Sequence, residues 1–536
     1  MKYRTLAQLF LLAAPLASAQ FPPQIKNVVI IFQENRTPDN LFHFLTPACP
    51  MPPFADRLHS CTPMFVTPSC YDISPCGLSN QSGITVPVAL TPVPLNGKND
   101  PDHTHKGFDE MCDPDPVTMG CRIDGAWKTT VPPGYSYGFV DNKAVTNSDG
   151  SPGRLLDPYL TLARQYGWAN FMFQTNQGPS YPAHQFMFSG TSAMTADDDA
   201  NSTFVAENFD KEAYSEIAGC LAPASTTNVL LFPTVNGVQS DQCTLFADGS
   251  VQECPINNTD LVFPSHPVGT FCYPHQSMAD VLDPQSISWK YYANSPGSIW
   301  TAPDSIKSIC QPQFVNPSDP NSPLQCTGKE WNAHVDVNNL GTDILRDVAH
   351  CDLARVSWVI PDGRWSDHAG LKDLFGPSWV AAVINAIGNN PKCGPGTADA
   401  GETYWQDTAI IVTWDDWGGW SDHEMPPYAS KLPCGSSNCQ ADYQYGFRVP
   451  LIVVSAYTPA GYIDNDPYDF GSVLRMIEGI NHLPEGALGF ADARSATDLH
   501  EFFTLAAPRS YHTVPAQKDA RFFLMQRSKP VAPDND

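Results

Sequence analysis

Six short runs along the chain are strand-like and largely apolar, at residues 28–32, 168–173, 288–292, 355–360, 408–414 and 451–455. Strands buried on both faces of a parallel sheet read as continuous apolar runs, whereas half-exposed strands alternate. Residues 158–166, 378–388 and 470–480 instead carry apolar side chains at helical spacing, with Pro377-Ser378 as the start signal of the second. Strands and helices interleaved in this way predict an α/β class with a mostly parallel sheet and helices on both faces.

The apolar runs recur without an intervening linker, repeat or low-complexity tract. The 536 residues therefore read as one domain over 20–536, although length alone would allow roughly three. Two long Pro-, Gly- and Cys-rich stretches, 48–151 and 223–284, read as insertions pinned by disulfides outside the core.

The first residues, Met1-Lys2-Tyr3-Arg4, a run from Leu6 to Leu16 and then Ala17-Ser18-Ala19, have the order of a cleavable signal peptide over 1–19. Export is expected, with no stable membrane anchor, since no later apolar stretch approaches the roughly 20 residues of a bilayer span. All 16 cysteines follow the signal segment without paired zinc-finger spacings, which favours disulfides. Cys112/Cys121 and Cys434/Cys439 are near enough in the chain to pair locally. Sequons at Asn80, Asn201 and Asn257 make a glycoprotein the expectation. A net charge of −26 disfavours nucleic acid as a partner, because backbone binding requires Lys and Arg on the phosphates. An anionic substrate would need a strong local positive charge, and a bound cation is the obvious source.

Chemistry-bearing residues cluster just after four of the predicted strands, where open parallel sheets place their sites. They are Gln33-Glu34-Asn35-Arg36-Thr37-Pro38-Asp39, Gln174 to Ser180, the segment ending Ser366-Asp367-His368, and Asp415-Asp416-Trp417-Gly418-Gly419-Trp420-Ser421-Asp422-His423. Adjacent carboxylates such as Asp415 and Asp416, if buried, stay ionised together only when a cation holds them. Glu34 and Asn35 would add hard oxygen donors, leaving the ion open among calcium, magnesium, manganese, iron and zinc. Ser180, after Gly178-Pro179, is the candidate nucleophile. Each cluster also has a plainer reading. Glu34-Asn35 could cap the next segment, Asp415-Asp416 could be a solvated turn, and His368 and His423 could be surface histidines.

The motifs Ile25 to Arg36, Gly178-Pro179-Ser180-Tyr181-Pro182, Ser357-Trp358-Val359 leading to Asp367-His368, Thr408 to Gly419, Asp422-His423 with Pro426-Pro427, and Phe447 to Ser455 occur in one order between residues 25 and 478. Together they resemble the phosphoesterase family of phosphatidylcholine-type phospholipases C and related acid phosphatases. The resemblance implies a three-layer, alkaline-phosphatase-like fold and hydrolysis of a phosphate ester, phospholipid included, through a phosphoenzyme on Ser180. It implies one divalent or similar metal ion on Glu34, Asn35, Asp415 and Asp416. His368 and His103 are implied at the phosphoryl group or leaving group, and His334 is chosen for a further phosphate-side histidine. The chain departs from the family pattern at Pro38 for the usual Phe, at Asp416 for a frequent Glu, and at Ala183-His184 for a common Asn-Arg. The alternatives to a phospholipase C are a broad acid phosphatase and an inactive secreted binding glycoprotein. A sulfatase is disfavoured by the missing Cys-X-Pro-X-Arg signature. Oligomeric state is not legible from these residues.

Overall fold

The computed structural model describes residues 21–531, apart from segments 52–60, 116–119, 211–216, 223–225, 234–238, 247–250, 254–271, 320–321, 391–403 and 430–442 and positions 131, 201, 372, 485 and 496. Residues 1–19, expected to be a signal segment, Cys434/Cys439 and the sequons at Asn201 and Asn257 lie outside the described residues. The side-chain nitrogen of Asn80 donates to the carboxylates of Asp113 and Asp124.

All six apolar runs form strands of a single sheet. In chain order its strands are β1 (Asn27–Gln33), β2 (Gly167–Met172), β3 (Trp289–Tyr292), β4 (Val335–Asp336), β5 (Val356–Val359), β6 (Thr408–Trp414), β7 (Leu451–Ser455) and β8 (Tyr462–Tyr468). They lie in the order β4-β3-β5-β1-β6-β7-β2-β8. Every neighbouring pair is parallel except those made by β7, which runs against both β6 and β2. Every residue of β1, β6 and β7 is buried, which explains their unbroken apolar sequences.

The two strands that the apolar pattern missed are the two edges. β4 has only two residues, and β8 contains Asp464, Asn465, Asp466 and Pro467 with an irregular register against β2. Short length, charge and proline are how sheet edges avoid further pairing, and they also erase the strand signal.

Helices cover both faces. On one side α3 (Asp157–Gln165) packs with α6 (Gly376–Asn389), which also contacts α5 (Asp343–His350). On the other, α4 (Ser180–Ser189) packs with α7 (Phe470–Ile480). The result is the three-layer α/β arrangement expected from the sequence. The second of the three predicted helices begins at Gly376, with Pro377 in its first turn, so Ser378 lies inside it and is not the cap. Disulfides Cys49–Cys70, Cys61–Cys76, Cys112–Cys121, Cys220–Cys272 and Cys310–Cys326 tie the loop-rich stretches. Part of 223–284 also forms, with Phe204–Asp210, a separate four-stranded antiparallel sheet. Among the described residues no helix is long and apolar enough to cross a membrane.

A buried ionic network fastens the loops beneath the strand ends. Arg448 donates to Asp422 at 2.8 and 3.1 Å, to Asp72 Oδ2 at 2.8 Å and to the Asn170 carbonyl at 2.8 Å. His423, buried and not superficial, meets Asp39 through Nδ1 at 2.7 Å and Asp72 through Nε2 at 3.1 Å. Burial alone would depress this imidazole, but Asp39 and Asp72 hold it well above the usual histidine value. A raised histidine contributes stability that is complete below its unfolded value and is lost as pH rises through the folded one. His423→Ala should therefore lower the unfolding free energy by about 3–5 kcal/mol near pH 6, the cost of breaking a buried pair. Urea titrations at a series of pH values should show that deficit narrowing under alkaline conditions.

Candidate active site

The two central strands bring the first two clusters together by register alone. Gln33 of β1 stands opposite Trp414 of β6, so Glu34 and Asp415 are the next residues of adjacent parallel strands. Such strands lie about 4.8 Å apart, which forces the two carboxylates to share one space. The pairing continues beyond the strands, where Asp415 N donates to Gln33 O and Arg36 N to Asp416 O. Asn35 adopts a left-handed conformation, φ 62°, and its backbone N donates to Asp415 Oδ1 at 2.8 Å.

The loop after β6 folds tightly over Asn35. At Gly418, φ +61°, a Cβ would stand 2.3 Å from the Asn35 carbonyl, and at Gly419, φ +66°, it would stand 2.5 Å from Pro101. Only glycine permits both the backbone angle and the approach. Asp415, Asp416 and Trp417 are consequently inaccessible to solvent, which excludes a solvated turn.

Ser180 begins α4. The preceding Gly178 lies where a Cβ would be 2.6 Å from the Ala206 carbonyl, and Gln174 ties its loop to the one after β6 by accepting from Trp417 N at 3.0 Å. Ser180 Oγ thereby reaches 3.4 Å from both Glu34 Oε2 and Asp416 Oδ2. Glu34, Asn35, Ser180, Asp415 and Asp416 are all fully buried, so the five residues form one cluster.

The histidines divide. His103 precedes α2 (His105–Cys112), whose N-cap Thr104 accepts from Gly107 N. Its Nδ1 meets the Pro101 carbonyl at 2.8 Å, so Nε2 accepts from Asn35 Nδ2 at 2.8 Å. That contact turns Asn35 Oδ1 the other way. His368 follows Asp367, itself left-handed at φ 71°, and its ring lies 5.8 Å from that of His103. Asp100, His103 and His368 place their polar atoms within 4.8 Å of one another, with Asp100 exposed at the rim. His334 is not brought to this site. It stacks on Trp289, accepts the proximity of Glu330 at 3.4 Å and bonds the Trp289 carbonyl. Trp289 opens β3 and His334 immediately precedes β4, so His334 sits at the amino ends of these strands, the opposite edge from Glu34.

Two residues to which the sequence assigns no site role, His184 and Trp300, do line the site. His184 Nε2 is 3.3 Å from Glu34 Oε1. The indole of Trp300 lies 6.3 Å from the His184 ring and 6.4 Å from the His368 ring. The signal for His184 was present, because residues i and i+4 share a helix face and His184 follows Ser180 by four. Trp300 lies in an irregular segment after β3, where periodicity gives no signal.

Electrostatically the cluster is short of positive charge. Burial pushes Glu34 well above the usual carboxylate range, and the charges of Asp415 and Asp416 push it further. For Asp415 burial acts in the same direction, yet the hydrogen bond from Glu34 and the nearness of His184 leave it below its usual value. Burial pushes His184 down to about 4, so it supplies no cation at neutral pH. Among the described residues, Glu34 Oε1, Asn35 Oδ1 and Asp415 Oδ2 are buried without a hydrogen-bond partner. Unsatisfied buried oxygens are costly, and several converging on one space fit a hard cation. Glu34, His184 and Asp415 are moreover a group whose ligand atoms all lie within 4.8 Å.

Fold and site thus define an α/β protein with a buried serine set in a carboxylate cluster. The family model described as Phosphoesterase matches residues 25–484, and the chain belongs to this Phosphoesterase family. Curated relatives include Phospholipase C A of Mycobacterium tuberculosis, 28% identical over 246 residues, 43% of this chain and 44% of that one. Another is the Non-hemolytic phospholipase C of Burkholderia pseudomallei, 26% identical over 234 residues, 38% of this chain and 32% of that one. The chain therefore spans less than half the length of these relatives. Among solved structures it is similar to a protein in the alkaline phosphatase superfamily from Vibrio parahaemolyticus, with TM-score 0.28, 9% identity, and 61% and 60% of the two chains covered.

The packing of Gly418 yields a controlled test. Gly418→Ala and Gly370→Ala both place a side chain at positive φ, but nothing lies within 4 Å of the Gly370 position. The Gly370 variant should lose only the left-handed penalty of about 1–2 kcal/mol. Gly418→Ala should lose clearly more in urea denaturation, because Asn35 must also move.

Proposed function

We propose that the chain is an exported, metal-dependent phosphoesterase of phospholipase C type that cleaves phosphate esters through a phosphoserine at Ser180. The observation that carries this reading is the position of Ser180 Oγ, 3.4 Å from both Glu34 and Asp416, in a cluster of three buried carboxylates. An ion on Glu34, Asn35, Asp415 and Asp416 would neutralise phosphate charge and lower the pKa of the hydroxyl it binds.

The chain's own groups have distinct tasks. Asp415 fixes the backbone of Asn35, and His103 orients its amide so that Oδ1 points away from the imidazole. Ser180 gives up its hydroxyl proton to Glu34 or Asp416, the carboxylates 3.4 Å away, as Oγ attacks phosphorus, forming an O–P bond while the ester P–O bond breaks. His368 Nδ1–H donates to the Ala369 carbonyl at 2.6 Å, so it is the imidazolium form that carries a proton on Nε2 and delivers it to the departing alkoxide. Water then cleaves the serine phosphate, releasing the phosphorylated fragment and restoring the hydroxyl. The N-terminus of α4, at Ser180, adds partial positive charge favourable to a bound phosphoryl group.

The names of the curated relatives support a phospholipid substrate, and a soluble phosphomonoester is the other class to be assayed beside it. Phosphatidylcholine hydrolysis should exceed that of a soluble phosphomonoester; the reverse ranking would make the protein an acid phosphatase. Chelation should abolish activity with either substrate. Ser180→Ala should lower kcat by roughly 10³-fold or more, as loss of an activated nucleophile does. Equal rates for wild type, chelated protein and variant would contradict catalysis at this site. His368→Ala should lower kcat by about 10²–10⁴-fold, with the smallest loss for substrates whose leaving group needs no proton.

A further inference from the structure

His184 lies one helical turn after Ser180 on α4. Its tautomer follows from its neighbours. Tyr291 Oη donates to the Trp300 carbonyl at 2.8 Å, so its proton is engaged. The contact of 3.4 Å between Tyr291 Oη and His184 Nδ1 is then a bond that Nδ1–H donates. Nε2 is left with a lone pair, buried, without a hydrogen-bond partner among the described residues, and 3.3 Å from Glu34 Oε1. Phe32 edge-on at 4.7 Å and Trp300 stacked at 6.3 Å hold the ring so that it cannot turn away. A lone pair facing a carboxylate oxygen is repulsive unless a cation lies between them or a proton is shared. His103 differs in this respect, because its Nε2 already takes the amide of Asn35.

We propose that His184 is a nitrogen ligand of the ion, giving a mixed nitrogen and oxygen donor set. Resting on the reading above that an ion sits among Glu34, Asn35, Asp415 and Asp416, this inference adds what the ion is. Imidazole with carboxylates suits manganese, iron or zinc, whereas calcium and magnesium take oxygen alone. The centre should accordingly prefer a transition metal.

The test uses full-length purified protein, stripped with chelator and reloaded with Mn²⁺, and reads nitrogen coupling by electron spin-echo envelope modulation. The wild type should show ¹⁴N modulation that changes to the ¹⁵N pattern when its histidines are ¹⁵N-labelled. His184→Gln should abolish the coupling and His103→Gln should keep it. Mn²⁺ affinity should fall roughly 100-fold in His184→Gln, at least the loss that accompanies removal of an outer-shell partner, while Ca²⁺ affinity changes less. If His184→Gln fails to fold, His184→Asn replaces it. Stoichiometric Mn²⁺ without nitrogen coupling in the wild type overturns the inference and leaves an oxygen-only centre standing. Coupling that survives in the His184 variants also overturns it. Failure of the wild type to bind any divalent ion overturns both the inference and the metal-dependent reading.

Discussion

Three carboxylates closed off from water around one serine hydroxyl govern this structure. Glu34, Asp415 and Asp416 are fully buried, and the strongest charges acting on Glu34 are the other two acids. Left alone, such a group lowers its energy by capturing a proton, which is why Glu34 is driven so far above its ordinary value. A cation would resolve the same conflict while keeping all three ionised, and under the proposed function it would convert a costly arrangement into a phosphate-binding one. The chemistry assigned to Ser180 depends on which solution the folded protein adopts.

The scaffold has to hold these groups against their mutual repulsion. It does so first by register, since adjacent parallel strands end at Gln33 and Trp414 and leave Glu34 and Asp415 no separate directions to take. It does so next by close backbone packing, with Gly418 against Asn35 and Gly178 against Ala206. Beneath, Arg448 and His423 satisfy Asp39, Asp72 and Asp422, so the neighbouring acidic loop carries its own cations. The contrast between the two acidic clusters is informative. One is paired with cationic side chains, and the other keeps carboxylate and amide oxygens unpaired among the described residues.

Much of this was legible in the sequence because burial leaves a strong mark. Residues 408–414 and 451–455 were read to the residue, and the central strand differed by one position at each end. The edge strands were invisible for the opposite reason, being short or polar where exposure requires it. The residues that the structure gathers around Ser180 follow strand ends, where the fold class says to look. His334 was chosen without such a positional rule, and it lies at the wrong end of its strands. Trp300 was missed because an irregular connection has no period to read, and its role comes from packing between His184 and His368. His184 was noticed only as a departure, although its spacing from Ser180 already placed both on one helical face.

Anomalous scattering from crystals of the protein loaded with a single transition metal tests the central claim most directly. The account predicts one peak, with oxygens of Glu34, Asn35, Asp415 and Asp416 within roughly 2.0–2.6 Å of it, the range for such ions. A map with no density among these residues, and with Glu34 and Asp415 sharing a short proton-bridged contact under the same loading, would contradict it.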